Sequence, residues 1–91
     1  MAVLFKFKHE GFTKSKYQEA LQKLEAEGQG SPKGRTFHVC YDDNDEVGII
    51  DIWESQEDFE AFGKTLIPIL ESLGVTLRPP VSHEVINIKE G

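Results

Sequence analysis

Hydrophobic residues recur with two periods along this chain, and the change from one period to the other marks the elements. Residues 2–8 alternate apolar and polar side chains, which is typical of a strand with one buried face. After Thr13 or Ser15, either of which would cap a helix, the chain has an apolar stripe at three- and four-residue spacing that ends before Gly28: Tyr17, Ala20, Leu21 and Leu24. The first third of the chain is therefore predicted to be a strand followed by an amphipathic helix.

The remaining sequence repeats this plan with one extra strand. Residues 35–41 and 47–54 are predicted strands joined by the polar turn 42–46, and residues 81–88 are predicted to form the last strand. The order β-α-β-β-α-β is that of a ferredoxin-like split βαβ unit, an α+β fold. We therefore expect an antiparallel sheet with two helices on one face, and 91 residues suffice for one domain.

The second helix is predicted between a Ser55 cap and Gly74. Pro68 lies too deep to occupy the first turn, so it should kink or split this helix. The stripe that would face the sheet comprises Phe59, Phe62, Leu66 and Leu70 or Leu73.

The central hairpin fixes which side chains meet. A loop of two or four residues would place Tyr41 opposite Glu46, and hence His38 opposite Ile49, with Cys40 opposite Val47 and Thr36 opposite Asp51. Both faces of this hairpin are mostly apolar, although a sheet with helices on one side should be polar on the other. The sheet of a second copy is the simplest cover, so a homodimer is predicted.

Composition excludes several classes of function. A net charge of −6 and a pI near 4.9 argue against binding nucleic acid or an anionic membrane. The one cysteine, Cys40, cannot form an internal disulfide, and no apolar run approaches a membrane span or a signal-peptide core. A cytoplasmic, globular protein is expected.

The candidate chemistry lies on one face of the hairpin. His38 and Asp51 are expected to be diagonal neighbours about 7–8 Å apart at Cα, so the carboxylate would raise the basicity of the imidazole. Trp53 on the same face would form a flat wall for an aromatic ligand. The alternative is a structural polar pair with Trp53 in the core, and the predicted pocket between sheet and helices is lined by His38, Asp51, Trp53, Phe59 and Phe62.

Other signals are weaker. His38, Cys40 and Asp51 resemble a metal-ligand set, but a free cysteine usually packs as a small hydrophobe, so no metal is predicted. Arg35, beside a glycine-rich loop, is a candidate anion contact, with a solvated or dimer-rim position as the alternative. His9 is interpreted as a surface residue at a strand edge.

The sequence resembles the dimeric α+β barrel superfamily of antibiotic-biosynthesis-monooxygenase-like proteins over nearly its whole length. The residues that carry the resemblance are Gly34-Arg35-x-x-His38, Asp51-x-Trp53-Glu54-Ser55, Phe59, Phe62 and Pro68. The superfamily includes cofactor-free quinone-forming monooxygenases, lactone isomerases and haem-degrading enzymes. The last group uses an Asn, a Trp and a His, for which this chain offers no equivalents, with Phe62 and Ser72 at the helical positions.

Two functions follow as hypotheses. The resemblance implies a small-molecule-binding protein or a cofactor-independent monooxygenase or isomerase. The residues themselves, through the strand register and the apolar stripe, suggest its site: His38 and Asp51 as catalytic residues, and Arg35, Trp53, Phe59 and Phe62 as ligand contacts. The alternative is a non-catalytic homodimeric structural or interaction module, for which a filled core between helices and sheet is expected.

Overall fold

The computed structural model describes residues 2–91 and contains the six elements in the predicted order. Their bounds are β1 (Val3–Phe7), α1 (Lys14–Ala26), β2 (Arg35–Asp43), β3 (Glu46–Trp53), α2 (Gln56–Ser72) and β4 (Val81–Glu84). The strands form one antiparallel sheet in the order β2-β3-β1-β4, and both helices pack on one face of it. The predicted fold class is confirmed. No helix within residues 2–91 has both the length and the apolar character needed to cross a membrane.

Both helices begin at capping side chains. The Thr13 hydroxyl accepts a hydrogen bond from the Lys16 amide, and the Ser55 hydroxyl accepts one from Asp58 at 3.1 Å. The sequence predicts that Pro68 kinks or splits α2; the split is wrong, because the helix runs unbroken from Gln56 to Ser72. Proline removes a single amide donor, and helical bonding resumes beyond it.

The hairpin register differs from the predicted one by two residues. Asn44 and Asp45 both have positive φ angles, 56° and 73°, so they form a two-residue turn of the kind that matches the twist of a hairpin. Tyr41 therefore faces Gly48 rather than Glu46, and His38 faces Asp51 directly. Because a shift of two residues preserves which side chains share a face, the predicted faces are retained. A bulge at Thr36 then brings Arg35 opposite Trp53.

The last strand ends at Glu84, so the prediction that it continues to residue 88 is wrong. Its partner explains the early end, since Glu84 pairs with Val3, the first residue of β1. The one further backbone contact joins Val85 to Ala2 at 3.0 Å. Beyond it, Ile86 is 90% exposed.

The two faces of the sheet differ sharply. The helix-covered face supplies the core, which includes Phe5, Phe7, Val47, Ile49 and Trp53. The opposite face, here called the open face, leaves four apolar side chains exposed by 37–57%: Phe37, Val39, Tyr41 and Val81.

Candidate functional site

Asp51 is a buried carboxylate with a partner for each oxygen. It lies on β3, is 1% exposed, and faces the helices. Oδ1 is 2.5 Å from Nδ1 of His38, directly across the ladder on β2, and Oδ2 accepts a longer hydrogen bond from the Trp53 indole at 3.4 Å. Because isolated buried carboxylates are costly, these bonds explain how the apolar strand tolerates the acid.

Tyr17 extends this pair from α1. Its hydroxyl lies 2.7 Å from Nε2 of His38, and the two rings are nearly parallel, with centroids 6.0 Å apart. An ionised Asp51 accepts a hydrogen bond from Nδ1–H of His38. In a neutral imidazole, Nε2 then accepts a hydrogen bond from the Tyr17 hydroxyl. We call Asp51, His38 and Tyr17 the relay. Sequence reasoning paired His38 with Asp51 but treated Tyr17 only as part of an apolar stripe.

The surroundings of the relay keep the Tyr17 hydroxyl protonated. Burial is the main cause that raises the pKa of Tyr17, and the nearby Cys40 adds to it. Burial also raises the pKa of the Cys40 thiol, against a smaller lowering by its contact with Tyr17. At neutral pH both groups therefore hold their protons, and Tyr17 acts as a hydrogen-bond donor.

Little room is left inside the core beside the relay. The cavity lined by His38, Asp51, Tyr17, Arg35 and their apolar neighbours, here called the relay cavity, measures about 30 Å³. This is space for one or two water molecules and not for an organic ligand. On the outside, Tyr17 and Cys40 line an open cleft of about 550 Å³ between α1 and the hairpin, here called the α1 cleft.

The structure distributes the five predicted pocket residues unevenly: His38, Asp51 and Phe62 line the relay cavity, Phe59 lines a different space, and Trp53 lies in the core. Trp53 is 0% exposed, and its ring packs against Phe59 and Phe62 with centroids 5.7 and 5.3 Å away. It is therefore a core residue and lines none of these spaces. Arg35 donates to the Gly30 carbonyl and lies 5.9 Å over the Phe62 ring, where it borders the relay cavity.

Phe59 and Phe62 instead line a second, larger space. This cavity, about 260 Å³, lies between α2, the end of β1 and the segment 77–80, and we call it the α2 cavity. One of its walls is His9, whose predicted surface position is wrong: it is 6% exposed and packs between the rings of Phe7 and Phe12. Its burial follows from a hydrogen bond across the fold, since Nδ1 accepts from the Arg78 amide at 2.8 Å.

His38, Cys40 and Asp51 are the side chains that the sequence suggests as a metal-ligand set. Among residues 2–91, His, Cys, Asp and Glu side chains do not gather in threes as metal ligands would. His38 and Asp51 are already engaged with each other.

Comparisons with known proteins match this chain by its structure and not by its sequence. No family model matches the sequence, and no curated protein matches it. Among solved structures, the chain is similar to SnoaB, a cofactor-independent oxygenase from Streptomyces nogalater, at 10% identity and a TM-score of 0.62 over 96% of this chain and 93% of that one.

Two further structures have the same architecture. A candidate antibiotic biosynthesis monooxygenase from Chloroflexus aurantiacus matches at 16% identity and a TM-score of 0.60, over 98% of this chain and 95% of that one. NE2512 from Nitrosomonas europaea, a protein of unknown function, matches at 11% identity and a TM-score of 0.55, over 99% and 94%. The chain thus has the fold of the antibiotic-biosynthesis-monooxygenase-like proteins, as the sequence resemblance predicted.

Proposed function

We propose that this protein is a homodimeric, cofactor-independent enzyme of the monooxygenase or isomerase kind that acts on a small aromatic or cyclic compound. The observation that carries the proposal is the relay, in which a carboxylate with 1% exposure orients a histidine whose second nitrogen contacts a tyrosine hydroxyl. The shared fold with SnoaB, a cofactor-independent oxygenase, supports the kind of chemistry. The substrate would lie in the α1 cleft, where Tyr17 borders open space.

The relay would move one proton. An acidic O–H or C–H of the substrate gives its proton to the Tyr17 oxygen while Tyr17 passes its own proton to Nε2 of His38. The imidazolium that forms is stabilised by Asp51, which acts as a positioning residue, and the substrate remains as an anion. Return of the proton to another atom completes an isomerisation. Attack of the anion on dioxygen would convert a ring CH₂ into C=O, with the second oxygen atom leaving as water.

A matched pair of variants tests the relay. Tyr17 and Tyr41 are the two tyrosines of the chain, but Tyr17 contacts His38 from the helix side, whereas the Tyr41 ring lies over Gly48 on the open face. With a panel of phenols, hydroquinones and lactones, followed by oxygen uptake and product analysis, we expect Tyr17→Phe to lower turnover roughly 10²–10⁴-fold. Tyr41→Phe should leave it within about twofold. Equal turnover by Tyr17→Phe and the unmodified protein would remove the relay from the mechanism.

The tight packing around the relay favours a second candidate, the non-catalytic homodimeric module. A relay cavity of about 30 Å³ leaves these polar groups holding one another rather than a ligand. His38→Ala separates the two candidates. Lost ligand binding in a folded protein supports the enzyme, whereas collapse of the fold with no ligand found in the panel supports the module.

The open face is the proposed dimer interface. It exposes Phe37 by 50% and Val81 by 57%. Apolar side chains grouped in this way on one exposed face are typical of an interaction surface. Light scattering at micromolar concentration should give twice the 10.3 kDa chain mass. Phe37→Lys should shift the mass to that of one chain. Ile67→Lys, which changes a side chain of similar exposure (46%) on α2, should not.

A further inference from the structure

We infer that the α2 cavity is a second binding site, for a neutral one-ring compound whose carbonyl oxygen accepts a hydrogen bond from Nε2–H of His9. This site is separate from the relay and from the α1 cleft. The inference therefore stands whether or not the relay is catalytic.

The cavity has the size and the walls for such a ligand. At about 260 Å³ it is larger than the roughly 150 Å³ engineered apolar cavity that holds benzene. Its side-chain walls are mostly aromatic and aliphatic, and they include Phe7, Phe59, Phe62, Leu66, Leu70 and Leu77. Apolar walls around a few placed polar groups are the usual composition of small-molecule sites.

The tautomer of His9 is set by the backbone. The Arg78 amide donates to Nδ1 at 2.8 Å, so Nδ1 carries a lone pair and the proton of the neutral ring sits on Nε2. Burial lowers the pKa of His9, which keeps the ring neutral at physiological pH. His9 therefore offers the cavity a fixed N–H donor without a charge.

This donor is free for a ligand. Within residues 2–91 the hydrogen bonds of His9 side-chain atoms involve Nδ1, and every fully buried side-chain nitrogen or oxygen in that range has a partner. Nε2 must then touch open space. The residue is 6% exposed and lines the α2 cavity, so that space is the cavity.

The apolar walls and the Nε2–H donor of His9 together favour a ligand with a neutral hydrogen-bond acceptor. A purely apolar ring would cover Nε2–H and leave this donor without a hydrogen-bond partner, which costs free energy. A carbonyl oxygen at the same place completes the hydrogen bond. Among the lining residues the cation Arg78 is already paired with Glu10, and the acid Glu60 lines the cavity as well, so the charges around the site do not favour an anion.

Acetophenone and α-methylstyrene form a matched probe pair, because they differ by O against CH₂ at one position. We expect the full-length protein, titrated in ¹⁵N NMR spectra, to bind acetophenone about tenfold more tightly. Binding of acetophenone should also shift the Nε2–H signal of His9. Equal dissociation constants, or no binding of either probe at millimolar concentration, would overturn the inference.

Three variants keep the test independent of folding. His9→Asn retains an acceptor near Nδ1 for the Arg78 amide but has no donor that reaches the cavity, so the tenfold preference should vanish. His9→Gln, which keeps a donor near the Nε2 position, should retain part of it. Gly63→Leu fills the cavity from α2, where a new Cβ meets only Ile67 Cδ1 at 3.7 Å, and should abolish binding of both probes. Unchanged binding in Gly63→Leu would place the ligand elsewhere and refute the site.

Discussion

The relay and the α2 cavity lie on two sides of one row of side chains, yet they are built in opposite ways. Phe7, Phe62, Leu66 and Leu70 line both spaces. On one side, polar groups are paired and about 30 Å³ is left. On the other, mostly apolar walls border about 260 Å³, with His9, Glu60 and Arg78 as the polar lining residues. Buried polar atoms require close partners, whereas apolar walls lose only dispersion contacts beside a void. The paired polar residues of the relay and the open volume of the α2 cavity are therefore separated.

Removal of Asp51 should give the largest effect and would break the relay side. Asp51→Ala leaves Nδ1 of His38 and the Trp53 indole without their acceptor in a nearly dry site. We expect a loss of about 3–5 kcal/mol in the free energy of unfolding, measured by urea denaturation. Glu71→Ala, an exposed acid on α2, is the control and should change stability by under about 0.5 kcal/mol. A loss below about 1 kcal/mol for Asp51→Ala would show that the relay is not tightly held.

Two leucine truncations compare the packing on the two sides directly. Leu24 is 6% exposed on α1 and borders only the relay cavity, whereas Leu66 borders the α2 cavity as well. Leu24→Ala should cost about 2–5 kcal/mol, since it opens a new void in a filled core. Leu66→Ala should cost about half as much, because part of its surface already faces empty space. Equal losses in urea denaturation would mean that both sides are equally well packed.

A methyl group added on the cavity side should stabilise the protein. Gly63 is inside α2, and a Cβ there would make only ordinary contact with Ile67. Gly63→Ala should therefore raise the free energy of unfolding by about 0.5–1 kcal/mol through helix propensity. The matched change Gly48→Ala should not stabilise, because its Cβ would clash with the Tyr41 ring on the open face, which would have to move away. Stabilisation by both, measured in thermal melts, would contradict the cavity geometry.

The smallest expected effect is the contribution of His9 to the pH dependence of the free energy of unfolding. Burial lowers its folded-state pKa below the ordinary value of 6.5, so below pH 6.5 the unfolded chain binds the proton first. Stability from this residue is therefore complete above pH 6.5 and is lost as the pH falls towards the lowered folded-state pKa. His9→Gln should show a shallower decline of unfolding free energy over that window. Parallel pH profiles of the two proteins would exclude a buried, neutral His9.

Local patterns were enough to predict the architecture, because each of its elements has its own periodicity and end signals. Ser55 and the alternation of residues 2–8 are examples, and the face shared by His38 and Asp51 followed from strand alternation alone. The exact register did not follow, since several loop lengths in 42–46 suit the same composition. It depends on the positive φ angles of Asn44 and Asp45, which many residue pairs resist.

The parts of the candidate sites that sequence reasoning missed are long-range contacts. Tyr17 meets His38 across 21 positions, and His9 meets Arg78 across 69. Nothing local distinguishes Tyr17 from another apolar helix residue, or His9 from a solvated histidine after a strand. The packing of α1 on the sheet decides the Tyr17–His38 contact, and the path of the segment 77–80 decides the His9–Arg78 contact. Neither feature leaves a periodic pattern in the sequence.

The two-residue turn at Asn44 and Asp45 sets the hairpin register on which the relay depends. His38 and Asp51 each lie six residues from it, about 20 Å along the strands, yet the turn decides that they stand opposite each other. With Asn44 and Asp45 kept as the turn, one residue inserted on one side of it would move one of the pair to the open face, and two inserted on one side would slide them apart on the same face. A change of length at an exposed loop tip, where sequence changes are readily tolerated, would thus separate the buried residues of the relay without replacing any of them.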